Sequence, residues 1–313
     1  MACFHPIDAW RPLNFTGKRS IYFGEPPEFV PVKGHMFGLP ARVERFKVPC
    51  GKCIGCLIDR SKQWALRCVL EAKSHEDNSF ITLTYDNEHL PADGSLDFDD
   101  LQRFFKRLRK KIGNERIRYY AVGEYGAKLS RPHFHAIIFG YGFGDRRLWS
   151  CSRGQNLYRS ELLESVWNYG YSTVGSVSFE SCAYVARYVQ KKLYGADRED
   201  VLAYYGGRLP EAARMSRRPG IASQFFHEYE SDIYPKDYIT VKGVKYKPGR
   251  YFDMLYKKEH PEEMLQLRVK RLEKVLEKID DCSEDRLAAR EECQKRRVSR
   301  LVRGFEEGDQ EIK

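Results

Sequence analysis

Two histidines separated by a single residue, His133 and His135, are the feature of this sequence with the clearest chemical meaning. They stand in a run of β-forming residues, 131–140, and alternate side chains of a strand point to the same face. Two imidazoles side by side on one face can hold a divalent cation. A His-x-His pair is a weak signal by itself, because two surface histidines on a hairpin would give the same pattern.

Glu124 strengthens the metal interpretation. It ends the preceding predicted strand, 117–124, and the hairpin that follows would bring it beside His133. Two histidines and one carboxylate leave coordination positions open, as a catalytic metal requires. Mixed nitrogen and oxygen ligands suit Mg²⁺ or Mn²⁺ acting on phosphate oxygens. The alternative is that Glu124 forms an ion pair with Arg131.

Two tyrosines, Tyr184 and Tyr188, follow on a predicted helix over residues 182–193. Because they are four residues apart, they share a helical face and can turn both hydroxyls toward one site. A tyrosine hydroxyl with a pKa of about 10 is a weak nucleophile at neutral pH and needs a nearby cation. The neighbouring cations are Arg187, Lys191 and Lys192. By itself the segment is equally an amphipathic basic helix without a catalytic role.

Together these residues indicate a phosphodiester transfer. Attack of a tyrosine on a DNA phosphate leaves a 5′-phosphotyrosine and a free 3′-hydroxyl, and religation needs no ATP because the bond energy is kept. The sequence lacks a G-x-x-x-x-G-K-[ST] phosphate loop, since residues 17–20 miss its spacing and its first glycine. A separate protein would therefore have to unwind a duplex.

A second group of potential ligands contains Cys50, Cys53 and Cys56, whose spacing allows three thiolates to surround one soft cation. The fourth ligand would be Cys3, with His5 as the alternative. We expect a structural Zn²⁺ that clamps the N-terminal arm to the catalytic domain. An iron–sulfur cluster would use the same residues, and reduced cysteines without any metal are a further alternative.

The composition is that of a folded, basic protein, with 42% hydrophobic residues and a net charge of +10. The positive excess favours a polyanionic partner, but it does not separate DNA from RNA or from an acidic membrane. Residues 1–10 show no signal-peptide pattern, and no run approaches the ~20 apolar residues of a membrane span. We therefore expect a cytoplasmic protein without membrane contact, in which nine cysteines indicate metal binding, catalysis or burial.

The elements that must position these residues alternate between helices and short strands. The predicted helices cover 61–76, 97–111, 161–169 and 182–193, and the predicted strands cover 80–85, 117–124, 131–140 and 173–179. Most loops are too short for parallel crossovers, so the pattern predicts an α+β fold with a mostly antiparallel sheet and helices packed on one face. Residues 195–260 carry no clear pattern. A charged helical stretch follows at 261–303, with Leu265, Val269, Leu272, Leu276 and Ile279 on one face.

Three blocks, in this order, resemble the HUH endonucleases, and specifically the rolling-circle replication initiators of the Microviridae, most closely the gokushovirus branch. They are the strand at 80–86, the His-hydrophobe-His block at 131–135 with Glu124 as third ligand, and the paired-tyrosine block at 184–192. Together they span about 45–195. The resemblance implies an RRM-like HUH fold. It also implies that the protein nicks single-stranded DNA at the viral origin with the help of Mg²⁺ or Mn²⁺.

The resemblance further implies that the two tyrosines alternate, one nicking the origin and the other cutting after a round of synthesis to release a circle. Because Lys191 and Lys192 follow Tyr188, we expect Tyr188 to attack before Tyr184. The expected partners are the viral origin, a host helicase and a host DNA polymerase, in the cytoplasm of a bacterial cell. Two competing functions are a non-catalytic, zinc-containing nucleic-acid-binding protein and a metal-dependent hydrolase of small phosphoesters.

These expectations divide the chain into an N-terminal arm, 1–49, a nickase domain, 50–195, and a basic, partly helical C-terminal region, 196–313. The residues expected to contact DNA share a basic or hydroxyl side chain: Lys106, Arg109, Lys110, Arg187, Thr82 and Thr84. For the basic helix that carries the first three, the alternative is a solvated charged face.

Overall fold

The computed structural model describes residues 3–13, 21–30, 39–126, 129–152, 155–188 and 198–300. The strands are β1 Ile7–Pro12, β2 Tyr22–Phe23, β3 Phe29–Val30, β4 Leu39–Pro40, β5 Val43–Val48, β6 Asn78–Tyr85, β7 Arg118–Tyr125, β8 Pro132–Phe139, β9 Arg147–Ser152, β10 Gln155–Arg159, β11 Gly170–Gly175, β12 Ala212–Met215, β13 Ile239–Val241 and β14 Val244–Tyr246. The helices are α1 Ile54–Lys73, α2 Phe98–Ile112, α3 Glu161–Val166, α4 Phe179–Tyr188, α5 Arg198–Tyr205, α6 Ser223–Ile233, α7 Arg250–Glu259, α8 Pro261–Leu276 and α9 Glu284–Ser299, with a 3₁₀ turn at Ile279–Cys282. None of the described helices combines the length and apolar character that a membrane span requires.

The chain divides into two compact units. Of the described residues, those within Met1–Asp59 and Lys278–Arg300 form the first unit, and those within Arg60–Glu277 form the second.

A seven-stranded sheet forms the centre of the second unit. Its strand order is β12-β7-β8-β6-β11-β10-β9, and each neighbouring pair is antiparallel. The predicted α+β class with an antiparallel central sheet is therefore confirmed. Strand β8, which lies between β7 and β6, is buried at all eight positions, which explains why it is apolar on both faces except at its two histidines.

Helices cover both faces of this sheet, so the expectation of helices on one face is wrong. On the first face, Phe134 and Ala136 of β8 pack with Phe104 of α2 in one hydrophobic cluster. On the second face, Ile137 of β8 packs in a separate cluster with Val185 of α4 and with side chains of α1. The side chains of β8 that point to each face of the sheet include apolar residues, and each apolar face needs its own covering layer.

Helix α2 shows how local sequence sets an element. Its apolar positions recur with helical spacing, and Asp97 caps its N-terminus by accepting hydrogen bonds from the backbone N–H groups of Asp99, at 2.7 Å, and Asp100, at 3.3 Å. Basic residues occupy its last turn, where they complement the helix dipole. The predicted helix at 97–111 consequently matches the observed one within a residue.

The described part of residues 195–260, which show no clear sequence pattern, forms much of the second unit's remaining core. Strand β12 extends the sheet beside β7, and α6 and α7 pack together through Phe226 and Phe252. In α8 the buried residues are Met264 and Leu267. The apolar positions that the sequence aligned on one face are exposed instead: Leu265, Val269, Leu272 and Leu276.

The first unit contains a three-stranded antiparallel sheet in the order β2-β1-β5, where the sequence suggested an irregular arm. Strand β1 pairs with β5 along its whole length, from Ile7 opposite Val48 to Pro12 opposite Val43. Helix α9 belongs to the same unit. These strands carry weak periodicity because they are short and have few buried positions.

Several predicted element boundaries differ from the observed ones, most clearly near the cysteine cluster and before α4. Helix α1 begins at Ile54, directly after the cysteine cluster, and not near residue 61. Strand β11 ends at Gly175, and α4 begins at Phe179, where the end of a strand was predicted. The part of the predicted helix at 189–193 lies outside the described residues.

Candidate functional site

Strand register brings Glu124, His133 and His135 together. Glu124 of β7 is the direct cross-strand partner of His133 of β8, and His135 follows two positions along β8. Cross-strand partners and alternate residues share a face of the sheet, so all three side chains point to the face covered by α1 and α4. One ligand atom from each lies within 4.8 Å of the others, and all three residues are buried.

The spacing of these ligand atoms suits a single ion. Glu124 Oε1 lies 2.8 Å from His133 Nε2 and 3.1 Å from His135 Nε2. Ligands about 2.1 Å from an octahedral ion stand about 3 Å apart, so both separations are compatible with a shared cation. The alternative partner Arg131 donates instead to the Tyr85 carbonyl and to the Asn87 side chain.

Each imidazole also has a hydrogen-bond partner at its Nδ1 atom, on the side of the ring away from Glu124. His133 Nδ1 lies 3.1 Å from the Arg131 carbonyl, which can only accept a hydrogen bond, so Nδ1 carries a proton. His135 Nδ1 lies 3.0 Å from Thr82 Oγ1. Such bonds orient the Nε2 atoms toward Glu124, as outer partners do for metal-ligating histidines.

Glu124 is held in its ionised form. Burial would by itself raise the pKa of this carboxyl, but hydrogen bonds and positive charge from His133 and His135 outweigh it and lower the pKa to about 2. The group is therefore a carboxylate at neutral pH, which is the form that binds a cation.

Tyr184 of α4 reaches this site. Its hydroxyl lies 3.4 Å from His135 Nε2, and the two rings meet edge to face at 5.1 Å between centroids. Phe80 completes the contact, since it stacks on His135 at 5.6 Å and touches Tyr184 edge-on at 6.3 Å. Phe80 was not among the predicted site residues, although its position two residues before Thr82 on β6 places it on the same face.

The other predicted catalytic residues fall partly outside the described structure. Tyr188 and Arg187 belong to α4, but their side chains are outside the described residues. Lys191 and Lys192 lie outside them entirely. Their roles stay predictions.

The residues predicted to contact DNA divide between the two faces of the sheet. Thr82 and Thr84 are the cross-strand partners of His135 and His133, and so lie on the face of the candidate site. Lys106, Arg109 and Lys110 are exposed on α2, the helix that covers the opposite face. The structure thus separates the basic helix from the potential metal ligands.

Comparison with known proteins places the chain in a family. A family model for replication-associated proteins of the ORF2 type matches residues 78–193. The chain is 34% identical over 235 residues to replication-associated protein VP4 of Bdellovibrio phage phiMH2K, with 72% of each covered. It is also 34% identical over 229 residues to replication-associated protein ORF2 of Spiroplasma virus 4, with 69% of each covered.

The chain belongs to the phage replication-associated protein family. A third relative, replication-associated protein ORF4 of Chlamydia phage 1, is 36% identical over 222 residues, which are 68% of this chain and 54% of that protein. No solved structure matches the chain. The resemblance to phage replication proteins is confirmed, and the matched segment includes Glu124, His133, His135 and Tyr184.

This replication-associated protein also carries an exposed aromatic on the site face. Tyr171 of β11 is the cross-strand partner of Thr84, which in turn is the partner of His133. The three therefore share a face, with Tyr171 about 10 Å from His133 across two strand spacings. Tyr171 is 47% exposed. Sequence reasoning did not single it out, because its register on β11 depends on the folded sheet.

The second group of potential ligands lies in the first unit. Its members, whose sulfurs all lie within 4.8 Å of one another, are Cys3, Cys50, Cys53 and Cys56. The structure brings Cys3 to the group, while the alternative ligand His5 forms an ion pair with Glu291 at 2.8 Å.

Proposed function

We propose that this replication-associated protein is a rolling-circle replication initiator of the HUH type. It nicks one DNA strand at the phage origin, stays attached through a 5′-phosphotyrosine, and rejoins the ends to circularise the displaced strand. The observation that carries this proposal is the buried convergence of Glu124, His133 and His135 with the hydroxyl of Tyr184. Family membership supports the role in replication.

The donor set fits Mg²⁺ or Mn²⁺. Glu124 Oε1 and the Nε2 atoms of His133 and His135 would hold the ion, and three ligands leave positions open for phosphate oxygens. When bound, such an ion supplies Lewis-acid polarisation of the scissile phosphate.

The tyrosines supply the nucleophiles. The phenolic oxygen forms a bond to phosphorus while the bond from phosphorus to the 3′ oxygen breaks; the phenol loses its proton and the 3′ oxygen gains one. In the reverse reaction a 3′-hydroxyl attacks the phosphotyrosine. The position of the Tyr184 hydroxyl, 3.4 Å from His135, supports access from α4. We assign the first nick to Tyr188 and the second to Tyr184, with Lys191 and Lys192 stabilising the phenolate.

The single strand would cross the site face of the sheet. Thr82 and Thr84 flank the histidines there, and the exposed ring of Tyr171 offers a surface on which a base can stack. Arg187 would contact phosphate near the tyrosines. The basic residues of α2 lie on the other face, so they would bind a different part of the origin by charge.

A host helicase and a host DNA polymerase would complete the reaction in the bacterial cytoplasm. The sequence has no phosphate-loop motif of its own. Strand separation and synthesis would therefore come from other proteins.

Covalent adduct formation tests the proposal. The full chain is incubated with labelled single-stranded origin oligonucleotides and Mg²⁺ or Mn²⁺, and SDS-resistant adducts are counted and mapped by mass spectrometry. We expect an adduct that EDTA abolishes, and that is lost in His133→Ala with His135→Ala and in Tyr184→Phe with Tyr188→Phe. The matched control is Tyr204→Phe, a tyrosine 68% exposed on α5, which should keep full activity.

Two outcomes would contradict the proposal. Cleavage of the oligonucleotide without any covalent adduct would indicate a metal-dependent hydrolase. Specific binding of the origin without cleavage in either metal would indicate a non-catalytic nucleic-acid-binding protein.

A further inference from the structure

The first unit contains four cysteines that take no part in the proposed nicking reaction. The sulfurs of Cys50 and Cys56 are 4.0 Å apart, and so are those of Cys3 and Cys53. A disulfide requires a separation of about 2.05 Å, and these cysteines are free thiols. Four sulfurs about 2.3 Å from a tetrahedral ion stand about 3.8 Å apart, so the observed spacing matches one metal ion.

Backbone amides point at three of the four sulfurs. The N–H of Cys50 donates to Cys3 Sγ at 3.2 Å, that of Cys53 donates to Cys50 Sγ at 3.3 Å, and that of Phe4 donates to Cys53 Sγ at 3.4 Å. Such bonds favour the thiolate, which is the form that binds metal. Gly51, with φ of 78°, allows the chain to turn sharply between two of the ligands.

We propose that Cys3, Cys50, Cys53 and Cys56 bind one Zn²⁺ in a closed, structural site. Four thiolates complete a tetrahedral shell and leave no position for a substrate. An iron–sulfur cluster divides its four cysteine ligands among two or four irons, which holds the sulfurs of different irons further apart than a single ion does. The short sulfur separations therefore favour a single ion, and four thiolates around a single ion are typical of structural zinc.

The described part of the first unit has a small core, in which Ala9 and Trp10 are the buried apolar residues outside the cysteine cluster. Among its described residues, the core cluster around the cysteines buries only Cys3, Phe4, Cys53 and Leu287. Large apolar side chains of the unit are exposed, with Phe23 at 59%. A unit with so small a core needs a metal or another cross-link to fold, and binding the metal then drives folding.

The same site fixes the last described helix. Leu287 of α9 packs against the cysteine cluster, and Glu291 of α9 forms its ion pair with His5. Three successive residues thus have different roles: Cys3 is a ligand, Phe4 is a core contact and His5 pairs with Glu291. Zinc therefore joins the beginning of the chain to α9, and its loss should release both.

Metal content tests the site directly. The full chain, purified from zinc-supplemented medium, should contain one zinc per molecule and neither iron nor sulfide. Cys3→Ser and Cys53→Ser should lower the zinc to background. The matched controls are Cys151→Ser and Cys293→Ser, which replace exposed cysteines outside the cluster and should each keep one zinc. Zinc retained by both cluster variants, or iron with sulfide in the wild type, would overturn the proposal.

Two measurements on the wild-type chain do not depend on whether a variant folds. Mass-spectrometric mapping of alkylation should show the four cluster cysteines protected until prolonged treatment with a strong zinc chelator removes the zinc. Hydrogen exchange after removal should rise about tenfold or more in Ile7–Pro12 and Glu284–Ser299, and stay unchanged in Pro132–Phe139. Equal alkylation of all cysteines in the untreated protein, or unchanged exchange after removal, would contradict a structural zinc.

Discussion

The two groups of potential metal ligands are built in opposite ways. Glu124, His133 and His135 are held by the register of two neighbouring interior strands, β7 and β8, of a seven-stranded sheet. The cysteines come from a short segment, 50–56, that leads into α1, and from the N-terminal residue Cys3. The first group has three mixed ligands and the second has four thiolates.

This difference suits the two groups to different tasks, the first to catalysis and the second to structure. Three ligands on a rigid sheet leave room for a substrate and bind a hard cation weakly enough to exchange it. Four thiolates close the shell around a soft cation and hold it firmly. If the first group is catalytic and the second structural, then metal removal and residue substitutions at the first group should change adduct formation without changing the zinc content of the second.

Chelation should distinguish the groups most strongly. After brief dialysis against EDTA, we expect adduct formation on origin DNA to be lost completely and restored by Mn²⁺, because the open site exchanges its metal. The zinc content of the same sample should stay at one per chain. Both are measured together, by adduct gel and by elemental analysis. Zinc loss with surviving activity would reverse the assignment of the two groups.

Glu124→Gln should lower the rate of adduct formation by about 100-fold or more, because a neutral amide is a poor ligand for a hard divalent cation. The rate is measured at saturating Mn²⁺, and the zinc content should not change. The control is Glu199→Gln, which replaces an exposed carboxylate on α5. A fully active Glu124→Gln variant would remove Glu124 from the site.

The lowered pKa of Glu124 predicts a pH-dependent stability. Its ordinary pKa is 4.5 and its folded pKa is about 2, so the stabilisation is complete above pH 4.5 and is lost as the pH falls toward 2. In EDTA, the difference in free energy of unfolding between the wild type and Glu124→Gln should shrink by about 2 to 3 kcal/mol over this interval. Urea denaturation at several pH values measures it, and a difference that does not vary with pH would refute it.

Thr82→Val should weaken Mn²⁺ binding by about tenfold, because His135 loses the partner that orients its ring. Titration calorimetry with Mn²⁺ measures the affinity. The matched control is Thr173→Val, which changes the cross-strand partner of Thr82 on β11. Equal effects of the two substitutions would mean that the Thr82 contact with His135 is unimportant.

Neutralising α2 should have the smallest effect. The triple variant Lys106→Gln, Arg109→Gln and Lys110→Gln should bind origin DNA several-fold more weakly at low salt. A plot of the logarithm of the binding constant against the logarithm of salt concentration should become less steep by about 0.7 per lost phosphate contact. The rate of the triple variant at saturating DNA should be unchanged, because α2 covers the face opposite the metal ligands. The control is Lys257→Gln with Lys258→Gln on α7. A slower reaction at saturating DNA would place α2 within the site.

Elements with strong local signals were predicted well. The strands β6 and β8 and the helix α2 match the observed bounds within two residues. Alternation along a strand, and the cap that Asp97 provides for α2, depend only on residues nearby in sequence. Such signals are therefore independent of contacts with distant parts of the chain.

Elements that depend on distant partners were missed or misjudged. Strand β1 is stabilised by β5, and β12 by β7, which lie far away in sequence. In α8 the apolar stripe through Leu265 is exposed, while Met264 is buried. Which face of a helix is covered depends on the elements that pack against it, and periodicity alone does not reveal them.

The sequence by itself determined the chemistry that is available: an imidazole pair at His133 and His135, two tyrosines one helical turn apart, and cysteines spaced to share a cation. Only the tertiary structure decided that Glu124 contacts the histidines and not Arg131, that Tyr171 lies on their face, and that α9 closes on the cysteine cluster. Side-chain type and short spacing are properties of the covalent chain. Register and packing arise from contacts between distant segments, and these exist only once the chain has folded.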